Sequence, residues 1–455
     1  MAEARTQNAT DLPEGFKTTE LGPLPEEWRV VRLREIVRTK KFTLNPRDCR
    51  DETFDYYSIP AYQKLNRPIP EKGRKIRSSK LLVEEGTVLF GKLNPRVPKV
   101  WLVEASERRK IASTEFIPLF PIKEMISSNF LYFLCWSGYI MPRAQELVSG
   151  STPSRQRVDV EAFLQLPIPL PPLPEQQAIA YVLRTVQRTK EATERVIAAL
   201  KELKKSLMRH LFTYGPVPLD QANQVPLKET EIGLMPEHWK VVRLGEIADF
   251  KNGINFKRED RGRGILTIDV LNMYTDDIYP KLSGLYRVNI TVRPDYLLVP
   301  GDLLFVRSSL KREGVGWTVV FPGYHEPVTF CGFLIRGRLH SKDILPEFIV
   351  NFLRFSPVRE LMVSKSGKVA ITNINQGNLK AIPIPAPPLD EQREIARILQ
   401  AVNRKIEAEE NRKRALEGLF KSLLHHLMTA KVRMPKEVVE QFEGPGETHA
   451  GEEGL

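Results

Sequence analysis

Glu20-Leu-Gly-Pro-Leu-Pro-Glu-Glu-Trp-Arg-Val-Val-Arg-Leu-Arg-Glu-Ile36 returns, with few changes, as Glu231-Ile-Gly-Leu-Met-Pro-Glu-His-Trp-Lys-Val-Val-Arg-Leu-Gly-Glu-Ile247. Trp239 follows Trp28 by 211 residues. A second pair closes each copy: Leu166-Pro-Ile-Pro-Leu-Pro-Pro-Leu-Pro-Glu-Gln176 and Ile382-Pro-Ile-Pro-Ala-Pro-Pro-Leu-Asp-Glu-Gln392, with Glu391 following Glu175 by 216 residues. Solenoid repeats have periods of about 20 to 50 residues, so each copy here is a whole domain plus a helix. The chain is a duplicated module, and two like modules address two like targets.

Between these ends the copies diverge. Gly86 before Val88-Leu-Phe90 corresponds to Gly301 before Leu303-Leu-Phe305, and Val100 to Val103 and Trp317 to Phe321 read as further apolar strands. Helical patterns follow at Asn129 to Leu147 and Pro346 to Val363; the internal prolines Pro142 and Pro357 should kink or divide them. Strands followed by helices place each module in the α+β class.

The proline bars 167–172 and 383–388 predict extended backbone that cannot continue as helix and so makes a rigid lead-in to the next element. That next element carries the strongest periodicity in the chain. Ile179, Leu183, Val186, Ile197, Leu200, Leu203, Leu207 and Leu211 recur at three- and four-residue spacing, as do Ile395, Ile398, Leu399, Val402, Ile406, Leu416, Leu419, Leu423 and Leu427. Each pattern spans 37 residues, 176–212 and 392–428, or about 55 Å of helix. So narrow a stripe is not stable alone, and the expectation is that the two helices pair as a coiled coil. The expected organisation is a disordered tail 1–19, a first domain 20–172, a central helix 173–212 and a linker 213–231. A second domain 232–388, a C-terminal helix 389–430 and a flexible tail 431–455 complete it.

Composition narrows the function classes. The 68 basic and 56 acidic residues leave a net charge of +12, which favours a polyanionic partner, since each neutralised phosphate releases condensed counterions. Three scattered cysteines, Cys49, Cys135 and Cys331, signal neither a disulfide framework nor a zinc knuckle and fit a reducing cytoplasm. No apolar run approaches the roughly 18 residues of a membrane span. No phosphate-binding Gly-x-x-x-x-Gly-Lys-Ser/Thr loop, dinucleotide fingerprint or Asn/Asp-Pro-Pro-Tyr/Phe adenine-methyltransferase tetrapeptide occurs. The seven histidines do not join Cys, Asp or Glu at metal-ligand spacing. A non-catalytic protein is expected.

The duplicated set resembles the specificity subunit of type I restriction–modification enzymes. Its carriers are Leu173-Pro-Glu-Gln176 and Leu389-Asp-Glu-Gln392 with Ile179 and Ile395 behind them, the Lys-Ser-Leu helix ends at 205–207 and 421–423, and Lys228 to Trp239. The resemblance covers Glu20 to Met428. It implies two target recognition domains, each reading half of a bipartite asymmetric sequence in double-stranded DNA, and an antiparallel coiled coil acting as ruler. It implies two adenine methyltransferase subunits and motor-nuclease subunits as partners, with S-adenosylmethionine, ATP and Mg on those partners and no cofactor on this chain. A coiled-coil scaffold that reads no DNA is the alternative from another class.

The candidate DNA contacts fall in two clusters per domain. In the first domain they are Lys92, Asn94, Arg96 and Lys99 after a strand, and Ser151, Thr152, Ser154, Arg155 and Arg157 before the proline bar. In the second they are Arg307, Ser308, Ser309, Lys311 and Arg312, and Lys365, Ser366, Lys368, Thr372, Asn373, Asn375 and Gln376. Arg and Lys suit guanine and phosphate; Asn and Gln suit adenine. Trp28 and Trp239, beside their Val-Val-Arg-Leu strands, are expected to cap the domain cores rather than stack on bases.

Overall fold

In the computed structural model, the described residues are 12, 14–39, 42–150, 152–364 and 372–443. Two compact units divide the chain, 1–191 with 414–455, and 192–413. Each is an α+β domain with one segment of each long helix, Leu173–Tyr214 and Leu389–Met428.

In the first unit a four-stranded antiparallel sheet runs in the order Val100–Leu102, Val88–Gly91, Phe116–Pro121, Val37–Arg38. Its partner sheet has five strands, in the order Thr43–Leu44, Lys80–Val83, Lys110–Ala112, Thr53–Tyr57, Ile69–Lys72, with one parallel step between Lys110–Ala112 and Thr53–Tyr57. The second unit repeats the plan. Ala248–Asn252, Leu334–Leu339, Leu303–Val306 and Thr318–Val320 form its four-stranded sheet, and Arg261–Ile268 again runs parallel to a neighbour, Val328–Phe330. The helical patterns are divided at their prolines, into Ser128–Trp136 and Met141–Glu146, and into Pro346–Leu353 and Ser356–Ser364.

The proline bars are strands. Pro167–Leu170 pairs antiparallel with Arg29–Arg32, and Pro383–Ala386 with Lys240–Arg243. Proline tolerates such two-stranded edges because alternate residues, here Ile168 and Ile384, can carry the ladder while burying their side chains. The repeated ends of the sequence are thus partners in space.

The residues after each bar lock this pairing to the helix. Gln176 is fully buried: its Oε1 accepts from Ser127 N at 3.0 Å and its Nε2 donates to Met125 O and Pro171 O, both at 2.9 Å. Gln392 does the same, accepting from Leu345 N and donating to Asp343 O and Pro387 O, each at 2.8 Å. Trp28 and Trp239 are buried in the two cores, and their indole N–H groups donate to Glu175 at 2.8 Å and Glu391 at 2.9 Å in the first turns of the long helices. A buried indole needs such an acceptor, and a carboxylate also suits a helix N-terminus.

The helix segments run antiparallel within each unit. In the second, Lys201 pairs with Glu410 at 2.9 Å and Lys413 with Glu194 at 3.0 Å. In the first, Leu183, Leu427 and Met428 share one core and Phe420 packs on Phe133. Leu203 and Leu419, counted in the apolar stripe, are instead about half exposed, at 48% and 47%.

Three segments expected to be tails or linker carry ordered structure. Phe16–Thr19 pairs with Gly22–Pro25, and Leu227–Thr230, placed in the linker, pairs with Gly233–Pro236. Both hairpins turn on a glycine in the left-handed region, Gly22 and Gly233, and on a threonine whose Oγ1 donates to that glycine's carbonyl at 2.7 Å. Strands of four residues rich in Lys, Thr and Pro carry no alternating pattern, so they escape a periodicity reading. Past Ala430, Arg433 donates twice to Glu175, and Phe442 stacks on Tyr181 with centroids 5.8 Å apart. Residues 444–455 lie outside the described residues.

Candidate nucleic-acid interface

In each domain the loop after a central strand of the four-stranded sheet meets the segment that precedes the proline bar. In the first domain Asn94 N donates to Gln156 O at 2.8 Å, Val158 N to Lys92 O at 3.0 Å, and Leu93 bridges Arg157. In the second, Ser308–Ser309 forms a two-stranded ribbon with Thr372–Asn373, and Ile374 N donates to Arg307 O at 3.0 Å. In the first domain two clusters some 60 residues apart in sequence therefore become one surface, and in the second the described part of the later cluster, 372–376, joins the loop that begins at Arg307. Arg96, Thr152 and Arg155 are exposed on the first, Lys311, Arg312 and Asn373 on the second.

Several candidates shape the loops. Lys99 is buried, and its Nζ donates to the carbonyls of Leu93, Asn94 and Val97; burial lowers its pKa. An ammonium spent on three carbonyls folds the 93–97 turn around itself, within which Asn94 adopts the left-handed conformation (φ 49°). Arg157 is exposed but forks onto Glu115, Nε and Nη2 each 3.0 Å from a carboxylate oxygen, and holds that carboxyl below its usual range. Asn375 caps Gln376–Lys380, its Oδ1 accepting from Asn378 N at 2.8 Å. Gln376 Nε2 donates to Asn252 at 3.1 Å. Lys92, Arg307, Ser308 and Thr372 are part-buried along the same seam. Ser151, Lys365, Ser366 and Lys368 lie outside the described residues.

The side chains that fix these loops come from the helices behind them and are absent from the candidates that composition suggests. Gln145 Nε2 donates to Pro95 O at 3.2 Å. Arg359 Nη2 donates to Glu313 O and Val315 O, both at 2.7 Å; Arg354, the C-cap of Pro346–Leu353, donates to Asp277 O at 2.6 Å and Thr318 O at 2.8 Å, outside the two clusters. Arg354 and Arg359 both stack on Trp317, with centroid distances of 4.6 and 5.7 Å, and burial pulls them down, Arg354 to about 9 and Arg359 to about 10. Their signal in the sequence is an arginine on the apolar face of a helical pattern, where a solvated charge is not expected.

A family model described as "Type I restriction modification DNA specificity domain" matches residues 25–202 and again 236–418. The chain belongs to the type I restriction–modification DNA specificity family. The two matches coincide with the internal repeat, each running from the opening hairpin region into a long helix. Among curated relatives, the type I restriction enzyme MjaVIII specificity subunit of Methanocaldococcus jannaschii is 25% identical over 92% of this chain and 96% of its own. The EcoKI specificity subunit of Escherichia coli is 25% identical over 60% of this chain and 58% of its own. Two solved structures share the fold. The S subunit of a type I restriction–modification system from M. genitalium has a TM-score of 0.56 at 15% identity over 88% of this chain and 96% of its own. A chain from a study of assembly and conformational transition of the type I R-M system scores 0.51 at 22% identity, over 90% and 99%. The α+β duplication and the long helices are those of the specificity family. Among the described residues, no group of three His, Cys, Asp or Glu could hold a metal ion, and no helix is long and apolar enough to cross a membrane.

Proposed function

We propose that this chain is the DNA-reading subunit of a type I restriction–modification system acting in the cytoplasm, each domain reading one half of a bipartite, asymmetric sequence in double-stranded DNA. The observation that carries the reading is the merging, in both domains, of two remote polar clusters into one rigidly held loop surface. Arg and Lys on these loops supply phosphate and guanine contacts, and Asn373 supplies an amide of the adenine-reading type. The net charge of +12 supplies the sequence-independent part of the affinity. The paired helices set the distance between half-sites and dock two adenine methyltransferase subunits; motor-nuclease subunits add restriction. S-adenosylmethionine, ATP and Mg belong to those partners, and this chain carries no catalytic group.

The test is reconstitution with the methyltransferase subunit, together with mapping of N6-methyladenine. One bipartite motif is expected from the complex, and no methyl transfer from the purified chain alone. Methylation without sequence preference, or transfer by this chain by itself, overturns the proposal.

A further inference from the structure

Leu310 is the most exposed large hydrophobic side chain described, at 87%. It sits in Arg307-Ser308-Ser309-Leu310-Lys311-Arg312, in the middle of the candidate surface of the second domain. The loop around it is tied down on both sides. Ser308 and Ser309 pair with Asn373 and Thr372, the Ser308 hydroxyl meets the Asn373 carboxamide, and the Ser309 hydroxyl accepts from Lys311 N at 3.2 Å. Gly314 N donates to Lys311 O at 2.9 Å, and Arg359 clasps the carbonyls of Glu313 and Val315. A Cβ on Gly314 would lie 2.4 Å from Ser309 Oγ and 2.5 Å from Tyr274 Oη, so that close approach requires glycine. An aliphatic side chain fixed in water between a serine and two cations contributes nothing to the free fold. The corresponding loop of the first domain shows the same pattern, Val97 being 47% exposed beside the exposed Arg96.

Leu310 directly follows a short two-stranded ribbon, Ser308–Ser309 paired with Thr372–Asn373. The major groove of B-DNA, about 12 Å wide, admits such a ribbon. The apolar group that base edges offer in the major groove is the thymine C5-methyl. We infer that Leu310 is a specificity-determining residue of the second domain and packs against a thymine methyl in its half-site, with Lys311 and Arg312 on the flanking phosphates. This rests on the proposed DNA-reading function.

The test uses the complete complex with its methyltransferase subunits and duplexes carrying the methylated motif. Each thymine of the half-site read by the second domain is replaced in turn by 2′-deoxyuridine, which removes only the methyl. Burying one methyl group is worth about fourfold in affinity. One replacement should therefore weaken binding about fourfold. Leu310→Ala should weaken binding to the intact motif by at least as much and become indifferent to that replacement. Leu219→Ala, an exposed leucine outside both clusters, should change neither. The exposed position of Leu310 leaves folding intact, checked by an unchanged Tm. The inference is overturned if the half-site contains no thymine, if no replacement is felt, or if the Leu310→Ala complex still feels it. A complex with no bipartite motif at all fails the DNA-reading proposal instead, and takes this inference with it.

Discussion

Replacing Gln392 by Met keeps the length and volume of the side chain and removes all three of its 2.8 Å hydrogen bonds. Each such bond is worth about 1 kcal/mol net, and the Leu345 N–H left without its acceptor adds a desolvation penalty of about 1–3 kcal/mol. The expected cost is therefore about 4–6 kcal/mol. For a unit of this size 1 kcal/mol moves Tm by about 2–4 °C, so the second unit should melt roughly 15 °C earlier. Calorimetry gives the shift, and hydrogen exchange locates it: amides at 343–345 should lose protection while those at 125–127, held by Gln176, keep theirs. Gln392→Glu should cost more, because it turns a donor that faces two carbonyls into a buried carboxylate. A Tm within 2 °C of the parent for Gln392→Met, or loss of protection spread evenly over both units, would refute the claim that the glutamine locks each domain to its helix.

The same geometry carries three further expectations. Exchanging residues 232–381 for those of a relative should change one half of the methylated motif; a change in both halves would show that the domains do not read independently. Four residues inserted after Thr189 lengthen the first long helix by about 6 Å and turn the remainder of that helix by about 40°. The spacer between half-sites should then grow by one or two base pairs, and an active variant with the original spacer would exclude the helix as ruler. Lys204 donates to Asp276 O at 3.3 Å, and burial pulls its pKa down to about 8, below its unfolded value near 10.5. The unfolded chain thus holds the extra proton between these values, so stability should rise from pH 8 toward pH 10.5. Lys204→Met should abolish that rise; an unchanged pH profile would refute it.

The duplicated ends, the α+β class, the two long helices and the division of both helical patterns at Pro142 and Pro357 are written in local sequence. Periodicity and proline chemistry act over a few residues, and a repeat with ordered parts can be read without coordinates. Even the polar clusters 92–99 and 151–157, or 307–312 and 365–376, are visible as compositions. Tertiary structure decided what each side chain does. Lys99, Arg157 and Asn375 look in sequence like free donors and acceptors, but are committed to the Leu93, Asn94 and Val97 carbonyls, to Glu115 and to Asn378. The proline bars became strands because Val30-Val31 and Val241-Val242, more than 130 residues away, present them an edge. The hairpins at 16–25 and 227–236 are silent in the sequence because four-residue strands are stabilised by a turn and a threonine hydroxyl, with no periodic burial to announce them. Whether a polar residue faces DNA or its own backbone depends on which distant strand its loop pairs with, and composition and spacing carry no record of that pairing.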